Sequence, residues 1–156
     1  VYCNMRKSAK NILNDKNHTF VIAEAGSNWR TRNIKTSIKR AKKMIHVAKA
    51  SGADAIKFQT YSPDKVYVPN AGNSNYLSKS GINKSINQIF EHFSMAHNVL
   101  NELSDYCKKQ KIQFMSTPFS VSDAKAVNKF VKIHKIASYE INHLSLLKFH
   151  AGTNKP

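Results

Sequence analysis

Four short apolar stretches in this chain each run into polar or charged side chains at the same end. Phe20, Val21, Ile22 and Ala23 lead into Glu24 and then Gly26. Ala55–Thr60 carries Lys57, Gln59 and Thr60. Ile112–Thr117 ends on Ser116 and Thr117 before Pro118, and Ile133–Ser138 ends on Ser138, with Glu140 just beyond. A carboxylate closing a buried strand costs free energy unless a partner or a ligand uses it. Taken singly, each residue has an ordinary reading: Glu24 as a solvated acid, Lys57 as a lysine on an edge strand, Thr117 as a turn residue before proline, Ser138 as filler. Together they place acids, a lysine and hydroxyls at equivalent positions. That mixture suits a small anionic substrate, with lysine and hydroxyls on a phosphate or carboxylate and the acids on a polyol or a proton. Alternation puts Lys57 and Gln59 on one face of their strand and Ile56 and Phe58 on the other, and it groups Ile136, Ser138 and Glu140 in the same way.

Helical stretches separate these strands. Residues from Ile34 to Ser51 carry Ile38, Ala41, Ile45 and Ala48 at helical spacing, with Gly52 as the stop. His97–Lys111 brings Leu100, Leu103, Tyr106 and Cys107 to one face. Ser122–Val131 predicts a helix with Ser122 as N-cap and Ala124, Val127 and Val131 inward, and Leu144–Ala151 begins a fourth. The polar stretch YSPDKVYVPNAGNSNYLSKSGINKS is too long for an ordinary connection and predicts a functional or decorated loop. Strands alternating with helices imply right-handed crossovers and a parallel sheet. Four such units are half of an eight-unit barrel of about 250 residues. The expected fold is therefore α/β, the first half of a (β/α)8 TIM barrel, truncated. Residues 1–17 form an N-terminal extension ahead of a barrel part covering 18–156. A compact doubly wound domain stays open, because strand order cannot be read from the pattern. In a barrel, the chemistry sits at the C-terminal ends of the strands.

Composition narrows the class. Of 156 residues, 41% are hydrophobic and 22% charged, which is globular rather than disordered. The formal charge of +16 comes from lysines spread over the chain, such as Lys35, Lys39, Lys42, Lys43, Lys108, Lys109 and Lys111. Spread charge reads first as a solvated basic surface, with steering of small anions as the alternative. A nucleic-acid face would interleave aromatics with Lys and Arg, whereas Phe20, Phe58, Phe114 and Phe119 are expected in strands. Cys3 and Cys107 show no metal or redox spacing, so a reduced, cytoplasmic setting is expected. No apolar run reaches bilayer length, and the opening VYCNMRKSAK lacks the apolar segment of a secretory signal. His92, His97, His134, His143 and His150 form no i, i+4 pair and read as surface or structural. An initial Val1 and a closing Lys155-Pro156 suggest a chain cut at both ends.

The stretches FVIAEAGSN, GADAIKFQTY, IQFMSTPFS and HKIASYEIN, in this order and spacing, resemble the N-acetylneuraminate (sialic acid) synthase family, which includes pseudaminic and legionaminic acid synthases. The resemblance covers residues 18–156. It implies a barrel enzyme that joins phosphoenolpyruvate to an open-chain N-acetyl sugar aldehyde such as N-acetylmannosamine, giving phosphate and a nine-carbon 2-keto sugar acid. By motif, Glu24, Gln59 and Glu140 would act on the sugar, while Lys57, Thr117, Lys135 and Ser138 would hold phosphoenolpyruvate. The family also implies a divalent ion, Mn or Mg, as Lewis acid. Its two histidine ligands would come from later strands, and no metal ligand is assigned here. A homodimer is implied, with a C-terminal antifreeze-like domain lending an arginine to the partner's site. Without those parts the chain is expected to be inactive, and neither nucleic acid nor membrane is an expected partner. Trp29 stands where many members carry His, and Tyr139 where many carry Gly, the latter closer to the pseudaminic-type branch. Two alternatives remain at this point: a Schiff-base barrel aldolase using Lys57, and a basic nucleic-acid-binding module.

Overall fold

The computed structural model describes residues 15–66 and 97–156, with Leu13, Val68, Gly72, Ser85, Gln88 and Met95 as isolated positions. Most of the predicted extension, most of the long polar stretch, Cys3 and His92 lie outside the described residues. In chain order the elements are β1 (Ile22–Gly26), α1 (Ile34–Ala50), β2 (Ala55–Thr60), the one-turn α2 (Pro63–Val66), α3 (His97–Gln110), β3 (Gln113–Pro118), α4 (Val121–Asn128), a 3-10 turn (Ser138–Glu140) and α5 (Leu144–Ala151). The three strands form a parallel sheet in the order β1-β2-β3, so the chain has the expected α/β character.

Local sequence explains the helix limits. Asn33 caps α1 by accepting from the Thr36 amide, and the helix buries Ser37, Ala41, Ile45 and Ala48. At its far end Gly52 adopts φ +84, with its amide on Lys49 O and the Ala53 amide on Ala48 O. These paired bonds satisfy carbonyls that the last helical turn leaves open. The same closure follows α3: Lys111 takes φ 57, its amide reaches Lys108 O, and the Ile112 amide reaches Cys107 O. Lys111 therefore lies past the helix rather than inside it.

Alternation along the strands sorts the side chains into two layers. Ile56, Phe58 and Phe114 face the helices and pack with Ala41, Ile45, Leu100, Leu103, Cys107 and Val127. Trp29 is fully buried in this layer with its ring edge-on to Phe58 at 6.0 Å, while Phe58 stacks on Phe114 at 5.7 Å. Each such side chain contributes about 1.5–3 kcal/mol through burial. Burial also pushes the Cys107 thiol up to about 12, which keeps it protonated. On the other face Ala55 and Met115 pack with Ile133 and Phe20. Within the sheet β1 is an edge, where Val21 and Ile22 are exposed. A cleft of about 570 Å³ between β1 and α1 is lined by Val21, Ala23, Met44, Val47 and Ile56 among others.

Two expectations are corrected. Ser120, not Ser122, caps α4, accepting from the Asp123 amide at 3.1 Å. The predicted fourth strand, Ile133–Ser138, is absent from the sheet. A strand persists only where its backbone groups find a ladder. Here the His134 amide donates to Pro156 O at 2.7 Å, and Lys135 Nζ occupies Ile136 O at 2.7 Å. The Glu140 amide then closes a tight turn on Ala137 O. No helix among the described residues is long and apolar enough to cross a membrane.

Candidate functional site at the strand ends

The sheet register brings Glu24 beside Lys57 and Gln59 beside Thr117. Residues in register on neighbouring parallel strands share a face, so all four stand at the C-terminal end of the face turned away from the helices. A bulge lies between Glu24 and Gly26, leaving Ala25 as an extra residue opposite β2. Gly26 makes the bulge by adopting φ +54, a conformation strained for any residue with a β-carbon. The extra residue ends the regular ladder just after Glu24.

Lys57 and Glu24 form an ion pair in which the lysine side chain is 12% exposed and the carboxylate 53% exposed. A nearly buried ammonium needs a partner, and the more exposed acid supplies it. Thr117 is buried, and its Oγ1 has no hydrogen-bond partner among the described residues. A buried hydroxyl left open beside Gln59, on the face that carries Lys57, is a donor available to a ligand. Gln59 is half-buried.

The other three residues assigned by sequence arrive differently. Without a fourth strand, Ile136, Ser138 and Glu140 do not share a strand face, which corrects the alternation argument for them. Lys135 is spent on Ile136 O, Ser138 is exposed at the start of the 3-10 turn, and Tyr139 is 90% exposed. Glu140 accepts from His143 Nδ1 at 2.7 Å. Trp29, noted for its place after the first motif, belongs to the core.

Sequence reasoning missed Asp123. This carboxylate is fully buried and accepts from Ser62 Oγ at 3.0 Å, from His97 Nε2 at 2.9 Å and from Ser120 Oγ at 2.5 Å. It ties the segment after β2, the start of α3 and the segment after β3 into one network, just beyond Gln59 and Thr117. The Ser120-x-x-Asp123 spacing is a helix-start signature that could have found it. His143 was likewise legible, three residues after Glu140. Among the described residues no three His, Cys, Asp or Glu converge as a cation site, so the divalent ion implied by the resemblance finds no ligand set in them.

The NeuB family model matches residues 44–156. The spore coat polysaccharide biosynthesis protein SpsE of Bacillus subtilis is 36% identical over 138 residues, covering 88% of this chain and 35% of that protein. A pseudaminic acid synthase of Campylobacter jejuni is 30% identical over 147 residues, covering 92% of this chain and 41% of the relative. Among solved structures, an N-acetylneuraminic acid (sialic acid) synthetase from Leptospira borgpetersenii superimposes with a TM-score of 0.67 at 28% identity, covering 87% of this chain and 42% of that one. The chain thus spans well under half the length of the proteins it matches.

Proposed function

The chain belongs to the NeuB family, and from that premise we propose that it forms the N-terminal half of a sialic-acid-type synthase barrel. The complete enzyme condenses phosphoenolpyruvate with an N-acetyl sugar aldehyde, such as N-acetylmannosamine, to a nine-carbon 2-keto sugar acid and phosphate. The observation that carries this reading is the strand-end set itself. Lys57 beside Glu24, with the open Thr117 hydroxyl and Gln59 on the same face, offers cationic and neutral donors to an anion and an acid to a polyol. The exposed edge of β1 and the apolar cleft against α1 support a barrel whose remaining strands continue from this sheet.

In this reading Lys57, Thr117, Lys135 and Ser138 hold the phosphate and carboxylate of phosphoenolpyruvate, and Lys135 must turn from Ile136 O to do so. Glu24, Gln59 and Glu140 orient the sugar so that its aldehyde carbon meets C3 of phosphoenolpyruvate. The new C–C bond forms there, water adds at C2, and phosphate leaves by C–O cleavage. The residues of this chain contribute positioning and charge stabilisation. A divalent ion and a homodimer belong to the proposal for the complete enzyme.

Phosphate release from phosphoenolpyruvate and N-acetylmannosamine tests it, using the chain extended to the length of its relatives. Lys57→Ala should lower kcat/KM for phosphoenolpyruvate by roughly a hundredfold or more. A native rate in that variant would remove Lys57 from the site.

A further inference from the structure

The Glu24–Lys57 ion pair is not used by the substrate assignments, which give its two members to different ligands. In the ligand-free chain they hold one another. Lys57 lies between Glu24 on one neighbouring strand and Met115 on the other, with a side chain 12% exposed, so water offers its ammonium little compensation. Glu24 is 53% exposed and can turn to water or to a ligand. An anion that takes Lys57 competes with the carboxylate for the ammonium. A polyol that takes Glu24 competes with the lysine for the carboxylate. Thr117 differs, since its open hydroxyl can meet an anion with no contact broken.

We propose that this ion pair couples the anion and polyol halves of the site. Both ligands break the same contact, so the first to bind bears that cost and the second binds more tightly. The inference rests on the assignment of Lys57 to phosphoenolpyruvate and Glu24 to the sugar. Because coupling is a free energy shared by the two sites, each ligand strengthens the other by the same factor.

Calorimetric titration with phosphoenolpyruvate, with and without saturating N-acetylmannosamine, tests it in the native protein, Glu24→Gln and Lys57→Met, each extended to the length of its relatives and with divalent ions chelated so that no turnover occurs. Glu24→Gln keeps the size and an acceptor but removes the charge, and thermal melting confirms that it folds. It should bind phosphoenolpyruvate about tenfold more tightly than the native chain when sugar is absent. Added sugar should tighten phosphoenolpyruvate binding several-fold in the native chain and leave Glu24→Gln unchanged. The advantage of Glu24→Gln should shrink by about 0.5 M salt, because the carboxylate is partly solvated. Unaltered or weaker phosphoenolpyruvate binding by Glu24→Gln, or coupling that persists in it, would overturn the proposal and leave the anion site standing. Native affinity in Lys57→Met would instead overturn the assignment beneath it. Failure of every variant to bind would remove both.

Discussion

Stability should fall in mild acid, and His134 supplies the term most open to test. The Thr153 hydroxyl donates its single proton to His150 O at 2.8 Å, so at 2.7 Å it accepts from His134 Nε2–H. The His134 ring lies 4.4 Å from the His150 ring, and burial, His150 and Lys155 together pull its pKa from 6.5 down to about 4. His150 is also pulled below its usual value by burial, and its two buried ring nitrogens lack partners among the described residues. Lys155 donates nearby to Asn128 and Val131 carbonyls. Between pH 6.5 and 4 the unfolded chain binds a proton that folded His134 refuses. The stabilisation is therefore complete above the unfolded value and is lost as pH falls toward the folded one. A depression of this size corresponds to about 3 kcal/mol lost between pH 7 and 4, an upper value because the ring keeps some solvent contact. For a domain of this size that is a fall of roughly 6–12 °C in Tm. Carboxylates titrate in the same window, so the useful quantity is the difference between the native chain and His134→Gln, which keeps a side-chain donor without the titration. Urea unfolding at half-unit pH steps should show the native chain losing about 2–3 kcal/mol more than His134→Gln over that range. A difference below about 1 kcal/mol would refute the account of the buried ring.

Two further outcomes follow from the geometry of the strand ends. Asp123→Ala should cost about 3 kcal/mol in urea unfolding, since it leaves Ser62 and Ser120 without their buried acceptor. The cycle with His97→Ala should give a coupling under about 1 kcal/mol because His97 is 46% exposed, and a loss below that for Asp123→Ala alone would make the network ornamental. Gly26→Ala forces a β-carbon into φ +54 and within 3.5 Å of Glu24 Oε1, so it should cost about 1 kcal/mol and shift the carboxylate. Unchanged stability, together with unchanged phosphoenolpyruvate affinity, would show that the bulge does not place Glu24.

The elements most legible in advance were those whose own residues decide them. The helix over Ile34–Ala50 follows from apolar spacing and Gly52, both local, and β2 from AIKFQT, while the equally local Asn33 cap went unread. The sidedness of β2 was equally local, because pleating leaves no choice once Ile56 and Phe58 seek the helices. The cap of α4 was misplaced by two residues because two serines compete, and the one whose hydroxyl reaches the Asp123 amide prevails.

The fourth strand failed for a different reason. IHKIAS has strand composition, but a strand is a pairing, and which backbone groups lie opposite is not written in the segment itself. His134 found Pro156 and Lys135 Nζ found Ile136 O, contacts that no periodicity announces. The same distinction divides the candidate site. Sequence by itself determined which residue types end β1, β2 and β3, which face Lys57 and Gln59 take and which family the motifs resemble, because those properties follow from neighbours along the chain. Tertiary structure alone decided that Glu24 neutralises Lys57, that Asp123 joins Ser62 and His97, and that Trp29 is core. Those facts depend on strand register and helix packing, which bring together groups tens of residues apart.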